Sequence, residues 1–196
     1  SSDLKTVIPE SLTAIDSSTF LHSDIKEIEV AEGNPVYDSR DNCNAIINTE
    51  SNELVVGSGA TVIPDSVTAI GYGAFLGRSS LKSIYIPESV EEIGSDAFVY
   101  CSGLEEITVA ENNSEYDSRN NCNAIISKMD DIMIAGCKKT IIPDDVGIIG
   151  DAFMGCSDLK SIDIPESVYQ IMDFAFQDCS GLENITISER VHDIGS

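Results

Sequence analysis

The sequence predicts an α/β-type solenoid dominated by strands: a right-handed coil of short parallel strands, with short helical turns and two β-hairpin excursions. Three observations carry this reading. Leu81 to Leu104 and Leu159 to Leu182 are two copies of one pattern, each repeating after 23 residues. An Ile-Pro pair marks the same point in successive copies, at Ile8-Pro9, Ile63-Pro64, Ile86-Pro87, Ile142-Pro143 and Ile164-Pro165. An Ala-Phe pair follows at Ala74-Phe75, Ala97-Phe98, Ala152-Phe153 and Ala175-Phe176, with Thr19-Phe20 as the variant. A period of roughly 20–30 residues marks a chain whose units bury their apolar faces only against their neighbours.

Each element of the short unit has a local cause. Ile84 and Ile86 alternate with Ser83 and Tyr85, the period-two pattern of a strand with one buried face. Pro87 removes a donor and stops that strand. Val90 and Ile93 suit a second short extended step, and Gly94 lets the chain turn. Ala97 to Cys101 reads as one helical turn that tucks Phe98 inward, so that stacked copies lay Phe on Phe and Ile on Ile. A unit this short buries too little apolar surface to offset the entropy of ordering it, so stability must come from neighbours.

The long unit, from Ile25 to Ser80 and again from Leu104 to Asp158, adds an excursion. Tyr37 to Ile47 returns almost unchanged as Tyr116 to Ile126, and Cys43 and Cys122 stand 79 residues apart. Ala45-Ile46-Ile47 with Leu54-Val55-Val56, and Ala124-Ile125-Ile126 with Ile132-Met133-Ile134, read as β-hairpins whose arms extend or parallel the solenoid sheet. The chain is then one domain of units at about 1–24, 25–80, 81–103, 104–158, 159–181 and 182–196. Neither end carries the polar capping unit that solenoids need, so a piece of a longer protein is expected.

Composition narrows the function. The chain has 196 residues and a net charge of −23. A surface this acidic repels phosphate backbones and anionic lipid, which argues against nucleic-acid and membrane-surface roles. No apolar run approaches the roughly 18 residues of a membrane helix, and the opening Ser1-Ser2-Asp3-Leu4 has no export-signal pattern. Cys101, Cys156 and Cys179 share one slot of the repeat, which His22 and Arg78 fill in other copies, so that slot is no fixed bridge. Cys137 is matched by Ser58. Free buried thiols are expected, with a single Cys122–Cys137 bond across the hairpin as the alternative.

The unit Leu-x-x-Ile-x-Ile-Pro-x-Ser-Val-x-x-Ile-Gly-x-x-Ala-Phe-x-x-Cys, read from Leu81 to Cys101, resembles the BspA-like leucine-rich repeat, the type also known from a Treponema surface protein. The Tyr-x-Ser and Cys-Asn-Ala-Ile-Ile hairpin of the long units resembles a variant common in surface proteins of gut and oral anaerobes. The resemblance implies an α/β-type leucine-rich repeat solenoid, export to the cell surface or beyond, and adhesion to host proteins or other cells. It brings no catalytic residues.

The residues themselves offer little chemistry. Acid–base and nucleophilic catalysis need a positioned base, usually His, and the two histidines fall in the variable slot (His22) and at an outward position (His192). Cys156 and Cys179 lie in adjacent units without further ligands, so no metal or cofactor is expected. Asp38-Ser39-Arg40-Asp41-Asn42 and Asp117-Ser118-Arg119-Asn120-Asn121 faintly follow a calcium loop, but an Arg at the third position argues against it, and a polar turn satisfied by its own side chains is expected instead. Asn112-Asn113-Ser114 and Asn184-Ile185-Thr186 match the glycosylation sequon, which matters only in a eukaryotic secretory host. The remaining candidate is a surface. The outward strand column reads Glu29, Val62, Tyr85, Thr108, Ile141, Asp163 and Thr186, and three of these are apolar where water favours polar groups. Cross-strand packing explains such residues, and so does a binding face. The expected function is a non-enzymatic extracellular or cell-surface binding module whose partner is a host extracellular protein or glycan. The alternative is a spacer with no ligand of its own.

Overall fold

A computed structural model describes residues 5–20 and 23–196; His22 lies outside them. The chain is a strand-dominated solenoid of about eight turns. After β1 (Lys5–Ile8), the first long unit contributes β2 (Glu27–Val30), β3 (Tyr37–Asp38), β4 (Ala45–Asn48), β5 (Glu53–Gly57) and β6 (Ala69–Ile70). The short unit gives β7 (Ser83–Ile86) and β8 (Glu92–Ile93). The second long unit repeats the set as β9 (Glu106–Val109), β10 (Tyr116–Asp117), β11 (Ala124–Ser127), β12 (Ile132–Gly136) and β13 (Ile148–Ile149). The series closes with β14 (Ser161–Ile164), β15 (Gln170–Ile171), β16 (Asn184–Ile187) and β17 (Asp193–Ile194).

Two sides of the coil carry these strands. One side holds three separate parallel pairs, β1–β2, β7–β9 and β14–β16. The other holds two longer sheets, β3-β4-β5-β6-β8 and β10-β11-β12-β13-β15-β17. The predicted hairpins are present: β4 with β5 and β11 with β12 are antiparallel, each with a bulge after its first isoleucine. Their second arms pair in parallel with the ordinary coils, aligning Leu54 with Ile70 and Met133 with Ile149. The hairpins therefore extend the sheet rather than leave it. The bend before each hairpin depends on Asn and Asp, which tolerate the left-handed region: Asp41, Asn42 and Asn44, then Asn120, Asn121 and Asn123, all have positive φ.

The expected helical turn at the Ala-Phe segment is not formed. Helical structure among the described residues is limited to three 3-10 segments, Ser17–Phe20, Arg40–Asn42 and Arg119–Asn121. At the Ala-Phe segment, alternate amides serve two partners. Ala74, Leu76 and Arg78 N–H donate three residues back, to Gly71, Gly73 and Phe75. Gly73, Phe75 and Gly77 N–H donate instead to the Ser95, Ala97 and Val99 carbonyls of the next coil. An α-helix needs every amide for its own fourth-preceding carbonyl, and the neighbouring coil takes half of them here.

The predicted stacking of Phe on Phe is made in two separate pairs rather than one continuous file. Phe75 lies on Phe98 with ring centroids 5.2 Å apart and planes 9° from parallel. Phe153 and Phe176 repeat this at 5.2 Å and 5°. Each pair rests on a glycine of a hairpin arm. A Cβ on Gly57 would stand 2.1 Å from the Phe75 ring, and one on Gly136 would stand 2.6 Å from that of Phe153. Arg78, in the slot that Cys fills elsewhere, is 1% exposed. Its Nε donates to the Gly57 carbonyl at 2.8 Å, and its Nη1 donates to those of Phe20 and Ser23 at 3.0 and 2.7 Å. Burial pulls its pKa down.

Where a long unit begins, two side chains replace strand pairing. Asn113, 1% exposed, donates to the Pro87 and Val90 carbonyls at 2.8 and 2.9 Å and accepts from the Glu115 and Tyr116 amides at 3.0 and 2.8 Å. The Tyr116 hydroxyl accepts from the Ile93 amide at 3.0 Å. Asn34 and Tyr37 repeat the arrangement on Pro9, Leu12, Val36 and Ile15.

Two substitutions check this account. Gly136→Ala should cost about 1–3 kcal/mol in urea unfolding, the usual price of overpacking. Asn113→Ala should cost at least about 2 kcal/mol, because it strands buried donors and acceptors.

Candidate functional site

The outward positions of the strand column are set by alternation against Ile28, Ile84, Ile107 and Ile162, which are all buried. Glu29, Val62, Tyr85, Thr108, Ile141, Asp163 and Thr186 are all exposed. Val62, Tyr85 and Ile141 stand out at 72%, 54% and 76% exposure. Tyr85 lies directly beside Thr108, and Asp163 beside Thr186, across parallel pairs.

The seven positions do not share one continuous ladder. Val62 and Ile141 lie outside regular strands. Their amides donate to the Cys43 and Cys122 carbonyls at the hairpin corners, at 3.0 and 3.1 Å. Each corner thus interrupts the sheet between β2 and residue 62, and again between β9 and residue 141. The column is a row of short patches, with the exposed aliphatic side chains next to the corners.

Those corners also build two grooves that the one-dimensional pattern does not reveal. The first, about 650 Å³, runs between β2 and the bend before β4 and includes Glu27, Glu29, Ser39, Asn42 and Asn44. The second, about 390 Å³, is lined by the counterparts Glu106, Thr108, Ser118, Asn121 and Asn123. Glu29 and Thr108 of the column face into them. The available signal was the 79-residue recurrence of the Asn-Cys-Asn corner.

Cations are drawn to the hairpins. Arg40 binds Asp38 through Nε and Nη2 and reaches Asn52 and Ser66 through Nη1. Arg119 binds Asp117, Asp131 and Asp145 at 2.9–3.1 Å, and these carboxylates raise its pKa. The arginine thus ties the bend at Asp117 to Asp131 and Asp145 further along the chain. Lys138 and Lys139 both bind Glu105, and their hydrogen bonds lower its pKa. Lys5 pairs with Glu29 at 2.8 Å on the exposed column. Among the described residues no group of three or more His, Cys, Asp or Glu is arranged to hold a metal ion, and no helix is long and apolar enough to cross a membrane.

All six cysteines are free, so the Cys122–Cys137 bond is not made. Cys101 and Cys179 donate to the Phe75 and Phe153 carbonyls of the preceding coil, both at 3.0 Å. Burial pushes the thiol pKa up to about 11 at Cys43 and about 12 at Cys101 and Cys156. These are packing groups, since a nucleophilic or metal-binding cysteine needs its thiolate. The exposed His192 lies tilted over Tyr169, with centroids 6.0 Å apart.

This architecture matches a known family. Residues 59–136 and 133–196 fit the model of the BspA-type leucine-rich repeat region, in six copies. The chain belongs to that family. A leucine-rich cell surface protein from Faecalibacterium prausnitzii is 28% identical, with a TM-score of 0.58 over 94% of this chain and 48% of its own. The pneumococcal vaccine antigen PcpA shares the fold at 19% identity and a TM-score of 0.59, over 98% of this chain and 47% of its own. A leucine-rich repeat protein from Eubacterium ventriosum does so at 21% identity and 0.51, over 98% and 57%. The chain thus spans about half the length of these structures. Comparison with curated proteins gives no match.

The thiol assignment has a direct check. At pH 8 a maleimide should leave Cys101 and Cys156 unmodified in the native protein and label both fully in denaturant. Rapid native labelling of either would contradict a packing role.

Proposed function

We propose that this chain is a non-enzymatic binding or adhesion module at a bacterial cell surface, presenting its outward column to a host extracellular protein or glycan. The observation that carries the reading is the exposure of Val62, Tyr85 and Ile141 at positions where the repeat places polar groups in other coils. Exposed apolar side chains rimmed by charge favour contact with another molecule, and a rigid tyrosine is an efficient anchor. The family, and the surface-protein description of the Faecalibacterium relative, support the location. The net charge of −23 disfavours nucleic acid and anionic membranes as partners. Raised thiol pKa values and the absence of a buried histidine among the described residues favour binding over catalysis.

The test is capture on arrays of extracellular proteins and glycans by the natural chain and by the double variant Tyr85→Ala, Ile141→Asp. Both positions are exposed, so circular dichroism and melting should not change. Loss of an anchor worth about 2 kcal/mol weakens binding roughly thirtyfold. Equal capture by both proteins would move the site elsewhere, toward the grooves at Glu27 and Glu106. No capture by either would favour a spacer.

A further inference from the structure

The larger groove runs along an open strand edge. The Ala31 amide donates to the Ile8 carbonyl at 2.9 Å, which turns the main chain of Glu27, Glu29 and Ala31 toward β1. In a parallel pair the intervening residues point the other way, so the N–H and C=O groups of Ile28 and Val30 face the groove. The side chains of these two residues are only 4% and 8% exposed, yet both residues line the groove. What they present to it is backbone. Among the described residues β2 pairs with β1 alone, and no other element bonds to the Ile28 or Val30 main chain. The segment at Val62 does not close the edge, because its amide is given to the Cys43 carbonyl at the corner.

The matching edge in the second long unit is partly closed by the chain itself. The Ala110 amide donates to the Ile86 carbonyl at 2.8 Å, so Ile107 and Val109 face the smaller groove. There the Ser118 hydroxyl donates to the Ile107 carbonyl at 3.3 Å. In the first unit the corresponding Ser39 turns away and donates to the Ala45 carbonyl at 2.6 Å. The Ile28 carbonyl is left open.

An unpaired strand edge is a template for another strand, and charge selects which. Glu27, Glu29, Glu32 and Asp38 line the groove against Lys5 and Arg40. Both cations are already paired, Lys5 with Glu29 and Arg40 with Asp38, so the groove keeps a surplus of negative charge. Its volume of about 650 Å³ is ample for a short ligand.

We propose that this groove is a β-augmentation slot for an extended peptide with basic side chains at alternate positions. The peptide's main chain pairs with Ile28 and Val30, as in other complexes that add a strand to a sheet edge. Its basic side chains stand beside Glu27 and Glu29 on the outward face, and the intervening residues turn into the groove. Of the outward column only Glu29 lines this groove, so the slot is distinct from the anchors at Val62, Tyr85 and Ile141.

The probe is the acetylated, amidated hexapeptide Lys-Thr-Lys-Thr-Lys-Thr, titrated into the full chain at low salt. On saturation, hydrogen exchange at the Ile28 and Val30 amides should slow severalfold, while that of Ala31, already bonded to Ile8, should change little. Two N-methylated forms of the peptide test the backbone pairing, one methylated on every lysine amide and one on every threonine amide. Only one set of amides faces β2, so one form should bind roughly tenfold more weakly and the other nearly as well as the parent. Glu27→Lys, at an exposed position, should weaken binding severalfold. The double variant Tyr85→Ala, Ile141→Asp should bind the hexapeptide as the natural chain does, so failure of the slot leaves the column reading standing. The proposal is overturned by absence of binding, by parental affinity in both methylated forms, or by saturation that leaves Ile28 and Val30 exchange unchanged. Protection of those amides that rises with chain concentration in the absence of peptide would also overturn it, and would assign the edge to a second copy of the chain.

Discussion

Every coil is completed by hydrogen-bonding groups that belong to its neighbour. Gly73, Phe75 and Gly77 give their amides to the coil ahead, and Arg78 hands its guanidinium to carbonyls of the coils behind. The stacked Phe pairs add burial to a contact whose geometry the backbone has already fixed, because the rings sit on Gly57 and Gly136. Stability is consequently a nearest-neighbour property, as expected of repeat proteins. The surface chemistry is fixed by the same register, since it decides which side chain of each coil faces outward.

The long units show how a regular stack admits an irregular insertion. A coil ending at Ile93 would normally meet a strand; it meets the Tyr116 hydroxyl instead. The Asn113 amide donates to the Val90 carbonyl, and to the Pro87 carbonyl beside the bond that the Val90 N–H already makes there. Buried polar groups of this kind are costly when unmet, which is why the same pair appears as Asn34 and Tyr37 in the first long unit.

Much of the fold is legible in the chain because its signals repeat. The period from Leu81 to Leu104, the alternation around Ile84 and the hairpin from Ala45 each have a local physical cause, and each occurs at least twice. The Ala97–Cys101 segment misleads because its composition suits a helical turn, while what prevents one is a set of acceptors in another coil, invisible from within the segment. The surface column is legible by parity, which correctly exposes Val62, Tyr85 and Ile141. Its interruption is not, because the Cys43 and Cys122 corners lie far from those residues in sequence and come between the rungs only on folding. The grooves escape for the same reason.

Tyr100 has a mechanical consequence. Its ring lies against Gly155, where a Cβ would stand 2.2 Å from it, and its hydroxyl reaches Asp178 at 2.5 Å, 78 residues along the chain. The side chain therefore straps across an entire intervening turn. A pull along the axis that began to part the coils at Tyr100 would load the Asp178 coil at once. The tie therefore carries tension past the backbone bond from the Tyr100 amide to the Met154 carbonyl and into the coil beyond.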